Sequence, residues 1–192
     1  MKNFIYVLPL VLCAFVSCDK DESAVPEEMQ TANFTVSDFT ASELETTTKS
    51  AEAEHCFTTR LLAGQHIDVG FVAIDYVDNT WVLTYETKDG WSINATHLSI
   101  GDCEDKTFPT TNSGNPKVGK FEHSSTHRNG VVEVVYVLDD VDILDYIYCF
   151  AAHAEVKGPG GKETAWAEGE DFGGKSWAMF VKANLFQCYP QA

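Results

Sequence analysis

The sequence predicts an all-β domain, a β-sandwich or, as the alternative, a small β-barrel. Three observations on residues 55–192 favour this class. Short runs alternate apolar and polar residues, turn signals separate those runs, and no stretch of ten residues has a helical pattern. Six or seven strands are expected within residues 55–192. This segment has a normal size for one domain with its own core.

The strands follow one another with short turns. The runs "HIDVGFVAIDYV" at 66–77 and "TWVLTYET" at 80–87 flank a tight "DN", which predicts a hairpin. The turn "KDG" then leads into "WSINATHLSI" at 91–100. Further strands are expected in "VVEVVYVLDD", "YIYCFAAHAEV" and "SWAMFVKANLF". Residues 101–130 and 157–175 lack steady alternation, so they are predicted to be long loops that carry any contact surface of the domain.

The N-terminus has the pattern of an export signal followed by a lipid anchor. Residues 1–17 contain Lys2 and an apolar run from Phe4 to Val16, which has the length of a signal-peptide core and is too short to span a membrane. The end of this run, "FVSC", resembles a bacterial lipobox, which implies lipidation of Cys18. The following "DKDE" resembles an export signal of surface-exposed lipoproteins. The expected location is therefore the outer membrane, facing the cell exterior.

Residues 18–54 are predicted to form an acidic tether rich in Ser, Thr and Glu. They hold ten acidic residues and two lysines, and few large apolar side chains to bury. Only "ANFTVSDFT" at 32–40 has a strand-like pattern. The whole chain of 192 residues has a net charge of −16, which disfavours nucleic acid as a partner. Membrane contact is therefore expected only through the lipid.

Four cysteines lie in the predicted domain, and an even number in an exported domain indicates disulfides. Three pairings are open. Cys56 with Cys188 is favoured because first and last strands often lie side by side in sandwiches, and this leaves Cys103 with Cys149. A zinc site built from these thiols is disfavoured because no C-x-x-C pair exists.

Five motifs occur in this order: "LLAGQHIDVG", "YETKDGWSINATHL", "NPKVGKF", "AAHAEV" and "ETAWAEG…WAMF". This succession, across most of residues 57–186, resembles a family of uncharacterised bacterial extracellular domains. The resemblance implies a secreted β domain attached to a surface protein. It implies no particular activity.

Two groups of residues are candidate ligand sites, although the sequence implies no resident cofactor. The first group is interpreted as a polar network or as a transition-metal site. Within it, His153 is expected to point inward and to form a hydrogen bond with Glu163 or a backbone carbonyl. Its members are His97, His123, His127, His153 and Glu163. The second group is acidic and suits Ca²⁺ or a solvated turn. It consists of Asp139, Asp140, Asp142 and Asp145.

Catalysis is not expected. The sequence has no G-x-S-x-G motif, and its cysteines are assigned to disulfides. Paired acids for glycoside cleavage are the alternative, with Glu155, Glu163, Glu168 and Glu170 as candidates. The resulting hypothesis is a lipid-anchored, non-catalytic interaction or adhesion module for an unknown protein or glycan. Its alternative is a carbohydrate-binding or carbohydrate-active accessory lipoprotein.

Overall fold

A computed structural model describes residues 34–39, 55–77, 80–101, 103, 107–138 and 147–188. The predicted signal peptide, Cys18 and the acidic group at 139–145 lie outside these residues. The strands are β1 Phe34–Phe39, β2 Phe57–Ala63, β3 Ile67–Val77, β4 Thr80–Thr87, β5 Ser92–Gly101, β6 His123–Val131, β7 Glu133–Leu138, β8 Ile147–Gly158, β9 Gly161–Ala167, β10 Glu170–Asp171 and β11 Met179–Asn184. Short 3₁₀ turns occur at Val118–Lys120 and Phe186–Cys188. Within the described part, no helix has the length and apolar character needed to cross a bilayer.

The all-β prediction is confirmed. The strands form one antiparallel sheet in the order β6-β5-β8-β9-β2-β3-β4-β7-β1, which curls until it is nearly barrel-shaped. The long strand β8 pairs with β5 along one edge. Its other edge pairs first with β11 and then with β9. Strand β8 therefore borders three strands.

The main core lies on the inner face of the curled sheet. Alternate residues of each strand point there, as the two-residue period of a β-strand requires. On β4 these are Trp81, Leu83 and Tyr85, and on β7 they include Val134 and Tyr136. The two tyrosines bring polar groups into this core, and both find partners. The Tyr85 hydroxyl donates to the carbonyl oxygen of His97 at 3.2 Å, and the Tyr136 and Thr96 hydroxyls are 2.7 Å apart.

A second cluster lies on the outer face of β8 and β9. We call it the outer cluster, and its buried members are Phe108, Phe121, Cys149, Ala151, Trp166, Ala178 and Phe180. It is covered by chain segments between strands that cross the sheet. Asn115 joins two of these segments, because its side-chain oxygen accepts hydrogen bonds from the backbone amides of Lys175 and Ser176 at 2.7 and 2.9 Å.

The outer cluster corrects the prediction of two free loops. Within residues 101–130, the end of the segment is strand β6, and Phe108 and Phe121 are buried. Within residues 157–175, most of the segment belongs to β9 and β10 and to the end of β8. Only part of each stretch is therefore irregular, and that part is used to bury apolar side chains.

Strand β1 corrects the predicted tether. Residues Phe34–Phe39 pair with β7 along all six positions, from Phe34 opposite Leu138 to Phe39 opposite Glu133. The prediction of an unstructured segment over 18–54 is therefore wrong for these residues. Strand β7 pairs with β4 along one edge and would have an unpaired second edge without β1. The alternating sequence "FTVSDF" is typical of a strand that pairs with such an edge.

The cysteines pair as the sequence favours. Disulfides join Cys56 to Cys188 and Cys103 to Cys149. The first connects the start of β2 with the chain beyond β11, and the second ties the segment after β5 to β8. Together they fix the frame on which the candidate site is built.

Candidate functional site

A β-bulge at Asn94 breaks the regular ladder of β5. Ile93 lies opposite Val156 and Ala95 lies opposite Glu155, so two neighbouring residues of β8 face three residues of β5. Asn94 is the extra residue. Bulges of this kind redirect a side chain and occur often beside functional sites.

Strand β6 has an irregularity at the same level. The partner of Ile93 on β6 is Val131, but the partner of Ala95 is Thr126, so residues 127–130 leave the ladder. Gly130 makes this possible with a φ of 69°, and a Cβ there would lie 2.8 Å from the Ser92 hydroxyl oxygen. Two irregular strands therefore meet beside the Asn94 bulge.

A cavity of about 310 Å³ lies beside this bulge, where β5, β8 and β9 run next to one another. We call it the Asn94 concavity. Its lining combines two carboxylates, an ammonium group, an amide and a hydroxyl, carried by Asn94, Glu155, Val156, Lys162, Glu163 and Thr164. The side-chain oxygen of Asn94 is buried and accepts no hydrogen bond within the described residues. A buried acceptor left without a donor costs roughly 1–3 kcal/mol, so a ligand that donates to this oxygen would recover part of that cost.

Two histidines form a pair on the face of β8 that also carries Glu155, one of the residues lining this concavity. His97 of β5 and His153 of β8 are directly opposite each other, and their Nδ1 atoms are 3.2 Å apart. His153 is only 6% exposed, and its ring packs against the indole of Trp166 with 4.8 Å between centroids. Phe121 and Phe172 contact the same indole, so the outer cluster holds His153 in place.

Both rings are neutral near pH 7. Burial lowers the pKa of His153 to about 3, and the neighbouring His97 contributes to this shift. Burial also lowers the pKa of His97, although the charge of Glu155 opposes this effect. In the neutral pair, one Nδ1–H donates to the lone pair of the other Nδ1.

The other predicted histidines are not part of this pair. His123 is opposite Leu98, so it lies on the inner face, whereas His97 is opposite Ser124. Burial lowers the pKa of His123 to about 4. His127 is buried in the segment of β6 that leaves the ladder. Among the described residues, no three His, Cys, Asp or Glu side chains are grouped as a metal site.

The expected partner of His153 is wrong. His153 does share a face with Cys149 and Ala151, but this is the outer face, and its ring contacts His97 rather than Glu163 or a backbone carbonyl. Glu163 is opposite Val156, is exposed and lines the Asn94 concavity. The register of the strands explains this difference. It places His97 of β5 directly opposite His153, whereas on β9 the residue opposite His153 is Trp166 and not Glu163.

The candidate carboxylates for glycoside cleavage fall into three places. Glu155 and Glu163 line the Asn94 concavity. Glu168 is bound by the Arg60 guanidinium through contacts of 2.6 and 2.7 Å, which hold the pKa of its carboxyl below the usual value. Glu170 is exposed in β10. Trp166, which lies between these acids in the sequence, is buried in the outer cluster.

Sequence reasoning missed two features. The first is the Asn94 bulge, whose signal is a change of phase: Ile93 and Leu98 both belong to the main core, although their numbers differ by five and a strict two-residue period requires an even difference. The second is a cross-strand pair of acids, Glu86 opposite Glu133, on the outer face of β4 and β7. Burial raises the pKa of both carboxyls, and nearby His55 opposes the shift. No sequence signal predicts this pair.

No protein-family model matches the chain, and neither a curated protein nor a solved structure is significantly similar to it. Function therefore has to be argued from the geometry of the site.

Proposed function

We propose that the protein is a lipid-anchored, non-catalytic interaction module on the outer surface of a bacterial outer membrane. Support for the anchor comes from the short apolar leader that ends at Ser17 and Cys18. Two disulfides are compatible with an oxidising compartment outside the cytoplasm. The acidic segment after Cys18 supports separation of the domain from the anionic membrane surface.

One observation carries the proposal of binding: the Asn94 concavity combines a β-bulge, a buried acceptor and groups of both charges on a rigid frame. Its volume of about 310 Å³ is at the lower end of the range for ligand pockets. Glu155, Lys162, Glu163 and Thr164 are exposed, so they contact solvent and can contact a ligand without moving the core. Such a surface selects a polar ligand that brings both donors and acceptors.

Binding is tested by applying the purified protein to intact bacterial cells and to a glycan array. Asn94→Ala and Lys162→Ala are each expected to weaken binding about 5–10-fold, since a hydrogen bond to a neutral or charged group contributes roughly 1–1.5 kcal/mol. Lys182→Ala is the matched control, because Lys182 is exposed on β11 near the other half of β8. Equal binding by all three variants would place the contact surface elsewhere.

The anchor is tested separately. Mass spectrometry of the native protein is expected to find Cys18 at the N-terminus with two or three acyl chains, because more than one chain is needed for lasting membrane attachment. Cys18→Ala should move the protein from the membrane fraction to the soluble fraction. An unmodified N-terminus at another residue would contradict the anchor without affecting the binding experiment.

Carbohydrate binding is the second candidate function. The mixed lining favours it, because carboxylates, an amide and an ammonium group match the hydroxyls of a sugar. None of the described lining residues is aromatic, so recognition would rest on hydrogen bonds rather than on ring stacking. Selective glycan-array signals that Thr164→Ala reduces would support this candidate. Release of reducing sugar, abolished by Glu155→Gln, would instead indicate a glycoside hydrolase.

A further inference from the structure

The histidine pair has a geometry that the proposed function does not use. Across β6, β5, β8 and β9, one row of outer-face residues consists of Ser124, His97, His153 and Trp166. The ring centroids of the two histidines are 5.2 Å apart, but their Nδ1 atoms are only 3.2 Å apart. The two Nδ1 atoms therefore face each other between the neighbouring strands β5 and β8.

This nitrogen separation matches two ligands of one metal ion. Nitrogen ligands lie about 2.0–2.1 Å from Zn²⁺, and at a tetrahedral angle two such nitrogens are roughly 3.3 Å apart. The ion would lie off the line that joins the two nitrogens, so the half-buried His97 ring has to turn to aim its lone pair at the ion. A metal ligand must also be a neutral imidazole, and in this pair at least one ring accepts a hydrogen bond at Nδ1 and is therefore neutral.

The surroundings supply a third donor and a fixed geometry. Glu155 is two residues beyond His153 on the same face of β8, and its charge acts on His97. Trp166 fixes the ring of His153, whereas His97 is half-buried and leaves a path from solvent. Because three ligands are not already gathered among the described residues, Glu155 has to turn toward the pair when an ion binds. Its side chain is exposed, so this rotation is inexpensive.

We propose that His97 and His153 bind one divalent transition-metal ion, such as zinc, with Glu155 as the third protein ligand. Imidazole nitrogen with one carboxylate is a donor set that suits Zn²⁺ and its spectroscopic substitute Co²⁺. The remaining coordination position is open to water or to a donor group of a ligand in the Asn94 concavity. The proposal stands independently of the lipid anchor and of the ligand proposed above.

The test uses the full-length protein in detergent, stripped with a chelator and then titrated with Zn²⁺ alone or Co²⁺ alone. One ion per chain is expected by calorimetry, and Co²⁺ should give the visible absorption of a tetrahedral site. His97→Gln should weaken Zn²⁺ binding at least 100-fold, and Glu155→Gln should weaken it about 10-fold. His66→Gln is the matched control, because His66 is exposed in the turn between β2 and β3, and it should bind like the wild type.

Two results would overturn the proposal. The first is no stoichiometric binding by the wild type, and the second is unchanged binding by His97→Gln. His153→Gln is expected to abolish binding as well, but an amide side chain packs less well on Trp166 than the imidazole ring does, so the fold of this variant is checked by circular dichroism. If it is unfolded, the half-buried His97 variant decides alone.

Discussion

The two faces of β8 are both buried, but by different parts of the chain. Phe150 and Val156 point to the inner face, where they meet residues from strands around the whole sheet. Cys149 and His153 point to the outer face, where Phe108 and other residues between strands cover them. The inner face depends on alternation within strands, whereas the outer face depends on where two irregular segments cross the sheet. The pair of His97 and His153 lies on the outer face.

Each disulfide belongs to one of these two faces: Cys188 packs against the main core, and Cys149 belongs to the outer cluster. Removing a disulfide gives the largest expected change in the free energy of unfolding. Replacing Cys56 and Cys188 by serine opens a loop of 132 residues and should cost about 5 kcal/mol by the chain-entropy model. The matched change at Cys103 and Cys149 opens a loop of 46 residues and should cost about 4 kcal/mol. Urea unfolding of the two double variants measures both costs. A larger loss from the second pair would mean that the outer covering, rather than the closure of the sheet, dominates stability.

A matched pair of truncations compares the two faces directly. Phe150→Ala removes a ring that is 1% exposed on the inner face and should cost about 3–5 kcal/mol, because the surrounding strands cannot close the cavity. Phe108→Ala removes a ring that is 5% exposed in the outer cluster. Phe108→Ala should lower the free energy of unfolding by at least about 1 kcal/mol less than Phe150→Ala does, since the irregular segment around Phe108 can move into the cavity that the ring leaves. Equal free energies of unfolding in urea would show that both faces are equally rigid.

The same contrast explains what the sequence could predict. The hairpin of β3 and β4 was predictable because the alternation of "TWVLTYET" matches its burial pattern. Strand β6, "HSSTHRNGV", was missed because it has few apolar residues and lies at one end of the strand order. The even number of cysteines predicted disulfides, and the pairing of Cys56 with Cys188 was favoured because first and last strands often lie side by side in sandwiches. The histidine pair was not predictable, because His97 and His153 are 56 residues apart and only the register of β5 on β8 brings them together.

Acid should weaken the outer face through His153. Its pKa in the folded state, about 3, is below the ordinary value of 6.5, so the unfolded chain binds the proton first as pH falls. The neutral His153 ring therefore contributes fully to the free energy of unfolding above about pH 6.5, and this contribution is lost progressively as the pH falls toward 3. Between about pH 4 and 6, His153→Gln should reduce the slope of unfolding free energy by up to about 1.4 kcal/mol per pH unit. His97 contacts this ring and remains in the variant, and so does Glu155, whose charge acts on His97.

Urea unfolding over this pH range measures that slope. His66→Gln serves as the control because its side chain is exposed. An unchanged slope in His153→Gln would mean that the ring is hydrated in the folded protein, and the His123 ring on the inner face would then be the next candidate for acid sensitivity.

The smallest expected effect has the opposite sign and lies away from the candidate site. Glu86 and Glu133 are directly opposite each other on β4 and β7, and like charges in that position repel. The folded-state pKa of each is raised, so any stability from holding a proton is present at low pH and is lost as pH rises through the raised value. Near pH 7 the ionised pair should therefore destabilise the sheet. Glu133→Gln is expected to raise the free energy of unfolding by about 0.5 kcal/mol at about pH 7 and to change it little at about pH 4.

The exposed Glu122 provides the control substitution, because Glu122→Gln removes the same charge without a cross-strand acid. Thermal unfolding at the two pH values is sufficient for the comparison. If Glu133→Gln destabilises the protein at neutral pH, then the cross-strand pair of carboxylates is stabilising rather than repulsive. In that case acid would weaken the outer face at this pair of acids as well as at His153, and the contrast between the two places would disappear.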